Sequence, residues 1–277
     1  MSRTGGKIVN ALIYLFLILT AVVVIFPVLW IVLGAFTPGN TLNATKLIPD
    51  RFTLSHFENL FVETDFLLWY WNTLKIAVVN MVLSTFLVVT AAYAFSRFRF
   101  KGRRAGLMTM LVLQMFPSFM GMIAIYILLL QIGLLDNHWG LILVYAGGSI
   151  AGGAWLVKGY FDGLPKSLED AAKIDGASNV KIFFKIMMPL SKPILVFVAV
   201  NNFIGPWMDF IFARLVLRSD ANKTLAVGLF EFVTGRGNTE FTTFAAGAIL
   251  VAIPITLVFV IFQRYIVEGL TAGANKG

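Results

Sequence analysis

Six apolar runs, near residues 8–35, 72–96, 105–130, 139–158, 190–213 and 241–264, limit this chain to one kind of fold. Each can cover about 30 Å of hydrocarbon, which takes about 20 helical residues. No water reaches a backbone amide at that depth, so each run must close its hydrogen bonds within itself as a helix. The expected fold class is therefore an all-α membrane protein with six transmembrane helices, built as a single transmembrane domain over 1–277. Composition agrees: 58% hydrophobic against 13% charged residues, with a mean hydropathy of +0.85, lies outside the range of a soluble domain. The first run is too long for a signal-peptide core and lacks a small-residue cleavage pattern, so it reads as a retained span. With no cysteine and only His56 and His138, the sequence offers neither a disulfide framework nor a thiolate or histidine metal site.

The net charge of +8 becomes informative once it is placed. The N-terminus, the turn at 97–104, the loop at 159–189 with its edges Lys158 and Lys192, and the C-terminal tail together hold 15 of the 22 Lys and Arg. By the positive-inside rule these segments, and both termini, face the cytoplasm. The cluster Arg97, Arg99, Lys101, Arg103 and Arg104 reads as a topology anchor in preference to a nucleic-acid or acidic-lipid patch, because only eight residues separate two spans there. No nucleic acid is expected as a partner; membrane lipid is.

Within the spans ionisable side chains are nearly absent, Asp209 being the main exception. A self-contained proton- or sodium-coupled carrier keeps charges near mid-membrane for its coupling ion, so the driving energy is expected from another chain. Gly147, Gly148, Gly152 and Gly153 give the fourth span a small-residue surface for close helix packing. Trp69, Tyr70, Trp71, Trp139 and Tyr265 fall near span ends, where amphipathic rings favour the interface.

The loop between the fourth and fifth spans is patterned as helix, turn, helix. Pro165 and Ser167 open the first helix, with Asp170 placed as in a capping box. Gly176 supplies the positive φ that ends it. Ser178 or Asn179 caps the second helix, whose Val180, Phe183, Phe184 and Met187 recur at helical spacing until Pro189 stops it. The first helix covers about two turns and needs a partner surface, since helices under about 12 residues rarely persist alone in water. Ala171, Ala172 and Ala177 keep it slim, while Glu169, Asp170 and Asp175 suit a basic cleft.

The run EDAAKIDGASNVKIFFKIMMPLSKP, residues 169–193, is similar to the EAA loop of permease subunits of binding-protein-dependent ABC importers. That resemblance implies a type I ABC importer permease fold, with 159–189 as the coupling loop that seats in a groove of a cytoplasmic ATPase. It assigns coupling to Glu169, Asp170, Ala171, Ala172, Asp175, Gly176 and Ala177. Asp170 stands where the family has Glu, a side chain one methylene shorter, and Glu169 is placed to share its role. The segments KTLAVGLFEF (223–232) and AIPITLVFVIFQRYIVEGLTAG (252–273) resemble the second permease subunit of maltose and maltodextrin importers. In that subfamily the C-terminal tail reaches between the ATPase subunits, here Thr271, Ala272 and Gly273. An outer loop enters the docked binding protein, here at Gly235, Arg236 and Gly237.

The implied assembly contains a second homologous permease, two ATPase subunits and an extracytoplasmic sugar-binding protein in a bacterial cell membrane. ATP and Mg would lie on the ATPase and no cofactor on this chain, which is not an enzyme; it has no Gly-x-x-x-x-Gly-Lys-Ser/Thr loop. For an oligosaccharide cargo of the maltodextrin kind, Gln114, Asn201, Asn202, Trp207 and Asp209 are the candidates along the path. Amides in spans serve equally to bond helices together. Another sugar, for example galacto-oligosaccharides, or a non-sugar solute is the alternative. An intramembrane enzyme lacks a nucleophile, base or metal ligands, and a stand-alone carrier would not need such a loop.

Overall fold

The computed structural model describes residues 3–40, 48–234 and 240–272, and all regular elements among them are helical. In chain order these are α1 (Arg3–Ala35), α2 (Ser55–Val62), α3 (Phe66–Arg97), α4 (Arg103–Met115), α5 (Ser118–Gln131) and α6 (His138–Gly163). There follow α7 (Ser167–Ile174), α8 (Asn179–Leu190), α9 (Lys192–Met208), α10 (Ile211–Val216), α11 (Leu225–Thr234) and α12 (Phe241–Ala272). Four of them, α1, α3, α6 and α12, are long and apolar enough to cross a membrane singly, and two bent pairs bring the number to six.

Both bends occur at proline. Phe116 has an extended backbone (φ −75, ψ 132) because Pro117 follows it, and the Cδ of a proline crowds a helical predecessor. The expected third span, 105–130, is consequently α4 and α5 meeting at 107°. The second bend, 83° between α8 and α9, lies at Ser191 between Pro189 and Pro193. Neither proline carries an amide hydrogen, so donors fail at two positions four residues apart. The ladder adapts by widening to a π-turn over Phe183–Met187. Pro189 therefore does not stop α8, as the sequence suggested; the helix runs one residue further.

Contacts divide the chain into two compact units. In the unit of 67–228 and 253–277, one apolar core joins Val88, Val89 and Ala92 of α3 to Val157 and Phe161 of α6 and Ile182 of α8. A second core lies further toward the start of α3 and α6, where Ile76, Leu141 and Ile142 meet Phe212, Val216 and Val227. Gly153 accounts for the fit of α6 to α3, since an added Cβ would lie 2.8 Å from both methyls of Val88. At Gly147 and Gly148 nothing lies within 4 Å of where a Cβ would stand, so only part of the small-residue surface serves this chain's own packing. In the unit of 1–66 and 229–252, the Nε2 of His56 bonds the carbonyl of Thr37 at 2.8 Å, and the hydroxyl of Thr242 donates to the carbonyl of Gly39 at 2.7 Å.

The fifth span ends at Met208, short of the expected 213. Asp209 is extended (φ −83, ψ 110) and its Oδ1 accepts the amide of Phe212 at 3.0 Å, which starts α10 as a separate helix. The turn before α6 is held by Asp136, a left-handed residue (φ 53) outside the spans. Its Oδ1 accepts the amides of Arg218 at 2.9 Å and Ser219 at 3.0 Å. Burial pushes its carboxyl up, but those amides outweigh burial and hold it below the ordinary carboxylate range. The charged form is thus favoured in the folded state, and its stabilisation is complete above the unfolded value of about 3.9 and lost as pH falls through the lower folded value. We expect Asp136→Ala to destabilise the protein by about 2 kcal/mol, from two orphaned amides and a left-handed non-glycine residue. Asp136→Asn keeps an acceptor and tolerates that conformation, so its loss should be smaller. Melting temperature in detergent between about pH 3 and 7 reads both, and the advantage of Asp over Asn should shrink toward the acid end.

Candidate functional site

The candidate coupling element is α7, eight residues between the ends of α6 and α8. Its C-terminus is a glycine stop. Gly176 has φ +77, its amide donates to Lys173 at 3.0 Å, and the amide of Ala177 donates to Ala172 at 2.9 Å. That reciprocal pair satisfies two carbonyls the helix would otherwise leave open. Ser178 starts α8 by accepting the amide of Lys181 at 3.3 Å, so Ser178, and not Asn179, is the cap. The capping box expected at Ser167 does not form. Ser167 is already helical, the N-cap is Lys166, and no side chain bonds the first turn; the Lys166 carbonyl accepts from Glu169 and Asp170 at 3.0 Å each.

Two sides of α7 differ sharply. Ala172 and Ala177 pack on the core formed by α3, α6 and α8. Leu168, Asp170, Ala171, Ile174 and Asp175 are exposed, Ile174 by 87% and Leu168 by 44%. Residues 168, 171, 174 and 175 follow helical spacing, so they form one slim face with apolar and acidic members. Glu169 departs from the expected sharing with Asp170: it is only 4% exposed and is ion-paired with Nε of Arg97. Adjacent helical residues point about 100° apart. One acid is therefore turned into the chain and the other outward.

Arg97 is the last residue of α3, and its side chain is 6% exposed. It also donates to the Ser96 hydroxyl at 3.0 Å and to the Leu164 carbonyl at 3.4 Å. Ser96 in turn donates to Asp162 at 2.6 Å, and Asp162 accepts from Lys158 at 2.5 Å. Arg103 donates through Nε to the Phe95 carbonyl at 2.8 Å, covering the C-terminal end of α3 with positive charge. Two members of the basic cluster thus have specific structural partners.

The candidate path residues do not converge on one site. Gln114 is exposed on α4 and lies over Gly152, where a Cβ would come within 3.2 Å of its Oε1. Asn201 is exposed and donates back to the carbonyl of Phe197 in its own helix at 2.8 Å. Asn202 accepts through its backbone carbonyl from Asn80 at 2.7 Å, and Asn80 also accepts the hydroxyl of Ser84 at 2.7 Å. Trp207 is buried against Tyr70, with ring centroids 5.3 Å apart, and against Phe203. A ring so enclosed offers no open face to a passing solute from within this chain. Asp209 accepts the hydroxyl of Tyr145 at 2.5 Å and caps α10. Asn80, braced by Ser84 of its own helix, and Tyr145 carry this interhelical bonding, and no local pattern in the sequence singles them out. The docking-loop residues Gly235, Arg236 and Gly237, and Gly273 of the tail, lie outside the described residues; Thr271 and Ala272 are in the last turn of α12.

Residues 84–271 match the family model for the binding-protein-dependent transport system inner membrane component. The chain belongs to this family. The match takes in α7, α8 and every span after the second. Among this permease's relatives, the galactooligosaccharides transport system permease protein GanQ of Bacillus subtilis (strain 168) is 45% identical over 267 residues, 95% of this chain and 94% of the relative. The maltodextrin transport system permease protein MdxG of the same organism is 42% identical over 278 residues and covers both chains fully. A solved chain from a bacterial ABC transporter involved in the import of the acidic polysaccharide alginate superposes with a TM-score of 0.84 at 25% identity, over 96% of this chain and 98% of that one. The permease is therefore a membrane protein with the type I ABC importer fold.

Proposed function

We propose that this chain is one permease of an ATP-driven importer for oligosaccharides, forming half of a pore whose motor is a separate ATPase. The observation that carries the reading is the exposed face of α7, in a loop that presents Leu168, Asp170, Ala171, Ile174 and Asp175 outward. A helix of eight residues with an 87% exposed isoleucine is suited to enter a complementary cleft, and the acids suit one lined with basic groups. The basic side of the chain, including this loop and both termini, is assigned to the cytoplasm of a bacterial cell. ATP and Mg then belong to the two ATPase subunits, which also meet the tail at 271–273. A second permease completes the pore, and an extracytoplasmic binding protein delivers the sugar to the loop at 235–237.

Relatives carry two sugar classes in their names, maltodextrin and galactooligosaccharides. Maltodextrin is our leading reading because several relatives share that name, including the pneumococcal MalD at 40% identity. Galacto-oligosaccharides are favoured by the 45% match to GanQ. Reconstitution with the partner chains, followed by ATP-dependent uptake of labelled maltotriose and labelled galactotriose in parallel, decides between them. Uptake of neither would sink both readings. In the same vesicles Asp170→Lys should lower uptake by about tenfold, since reversing one exposed interfacial charge costs about 1.4 kcal/mol or more. The lysine variant should still insert and reach wild-type levels, because Asp170 makes only an exposed pair with Lys173 at 3.7 Å.

A further inference from the structure

We propose that the buried Arg97–Glu169 pair is a mechanical joint, a set of positioning residues that makes α7 move as one body with the ends of α3 and α6. The inference rests on the coupling role proposed for α7, and concerns how displacement leaves that helix once a partner has pushed it.

Apolar packing alone gives α7 a weak hold. Its inward side contributes two alanines, Ala172 and the adjoining Ala177, while its larger apolar residues Leu168 and Ile174 point away from the chain. A short helix attached so lightly would rock or fray when pulled. What ties it down is polar. Glu169 sits in the first turn of α7 and Arg97 in the last turn of α3, so each charge lies at the favourable end of its own helix. The same guanidinium reaches the carbonyl of Leu164, where α6 ends, and Ser96, which bonds Asp162 near the end of α6. One planar group thus touches three helix ends, a geometry that a fork of donors provides and an ammonium does not.

Burial of the pair bears on its purpose. Both side chains are about nineteen-twentieths buried, at 6% and 5% exposure. An ion pair at that depth adds little net stability over a well-packed apolar pair, because desolvation offsets attraction, whereas its geometry is sharply defined. The site therefore gains rigidity and direction where an apolar contact would serve stability equally well. It also separates the two acids: Asp170 is available to a partner, and Glu169 transmits what that partner does.

The absence of cysteine makes the joint measurable. Nitroxide labels on Arg99→Cys, just past the end of α3, and Lys173→Cys in α7, both exposed positions on either side of the pair, report the distance between that end of α3 and α7 in the complete reconstituted complex. With the pair intact, the distance should stay unchanged between the nucleotide-free and ATP-vanadate states. In Arg97→Met/Glu169→Met, an apolar replacement chosen to preserve folding, it should broaden or shift with ATP. Maltotriose or galactotriose carried per ATP should fall about tenfold in that variant, with ATPase association retained. Restoring only one member should not rescue transport, since the other charge is then buried without its partner. A label distance that changes with ATP in the intact pair, or full coupling in the double methionine variant, would overturn the joint. Failure of the intact complex to take up either sugar would overturn the substrate reading alone, because the distance is read without sugar.

Discussion

Gly176→Pro should reduce ATP-driven uptake by about tenfold or more while the spans insert normally and the protein reaches its usual level. Gly176 has φ +77, which proline cannot adopt, and its amide donates to Lys173 at 3.0 Å, a donor that proline lacks. The combined cost is about 3 kcal/mol or more, of the size that proline imposes inside a helix. Nothing lies within 4 Å of where a Cβ would stand, so crowding plays no part and the effect comes from the backbone alone. Gly176→Ala isolates the conformational share. It keeps the amide and adds only left-handed strain, about 1–2 kcal/mol, so uptake should fall less. An eight-residue helix has few other bonds to absorb either loss. Uptake by the reconstituted importer, measured beside ATPase pull-down, checks the order proline below alanine below wild type. Equal rates for all three would refute the claim that the turn positions α7.

What sequence makes legible here follows from how local each signal is. A glycine ending a helix, a serine beginning one and a run of twenty apolar residues are each settled by neighbours a few positions away, and Gly176, Ser178 and four of the six expected spans appear where those signals put them. Proline effects are visible in sequence but not their kind. Pro117 breaks a run that hydropathy treats as continuous, and Pro189 is absorbed by a π-turn until Ser191. The helix α11 escapes notice because a largely apolar stretch of ten residues is too short for a span and sits between polar segments.

Side-chain direction is the part that stays hidden. Glu169 and Asp170 are equivalent in sequence, and only Arg97, 72 positions earlier, draws one of them inward. Trp207 has the aromatic surface a sugar path would use, yet Tyr70 and Phe203 enclose it. Asp209, the main acid within an apolar run, is occupied by Tyr145 and by the start of α10. Each outcome depends on a partner from a distant segment, which periodicity does not report. Candidate residues chosen for their chemistry are divided by packing into those that bond helices and those that stay open.

Close packing gives the second large effect, at Gly228. This residue lies within α11, and a Cβ built on it would stand 2.2 Å from Cε3, 2.3 Å from Cδ2 and 2.6 Å from Cζ3 of Trp69. The indole is 7% exposed and has little room to withdraw. The helix cannot easily lift away either: the buried amide of Leu225 donates to Thr73 at 2.8 Å, and Val227 lies in the core with Ile76. On helix propensity alone, glycine to alanine would stabilise by about 1 kcal/mol. Overpacking opposes that gain with a typical cost of about 1–3 kcal/mol, and more when a rigid ring is the obstacle. The clash should win, so Gly228→Ala is expected to destabilise by about 1–2 kcal/mol and Gly228→Leu by about 3 kcal/mol or more. Gly159→Ala in α6 provides the opposite sign. Nothing lies within 4 Å of its added methyl, so propensity acts unopposed and the variant should gain about 0.5–1 kcal/mol. Melting curves of the three variants in one detergent test the pair of signs. If Gly228→Ala melted above wild type as Gly159→Ala does, the indole would be yielding, and the close approach of α11 to α3 would not be what fixes this end of the fold.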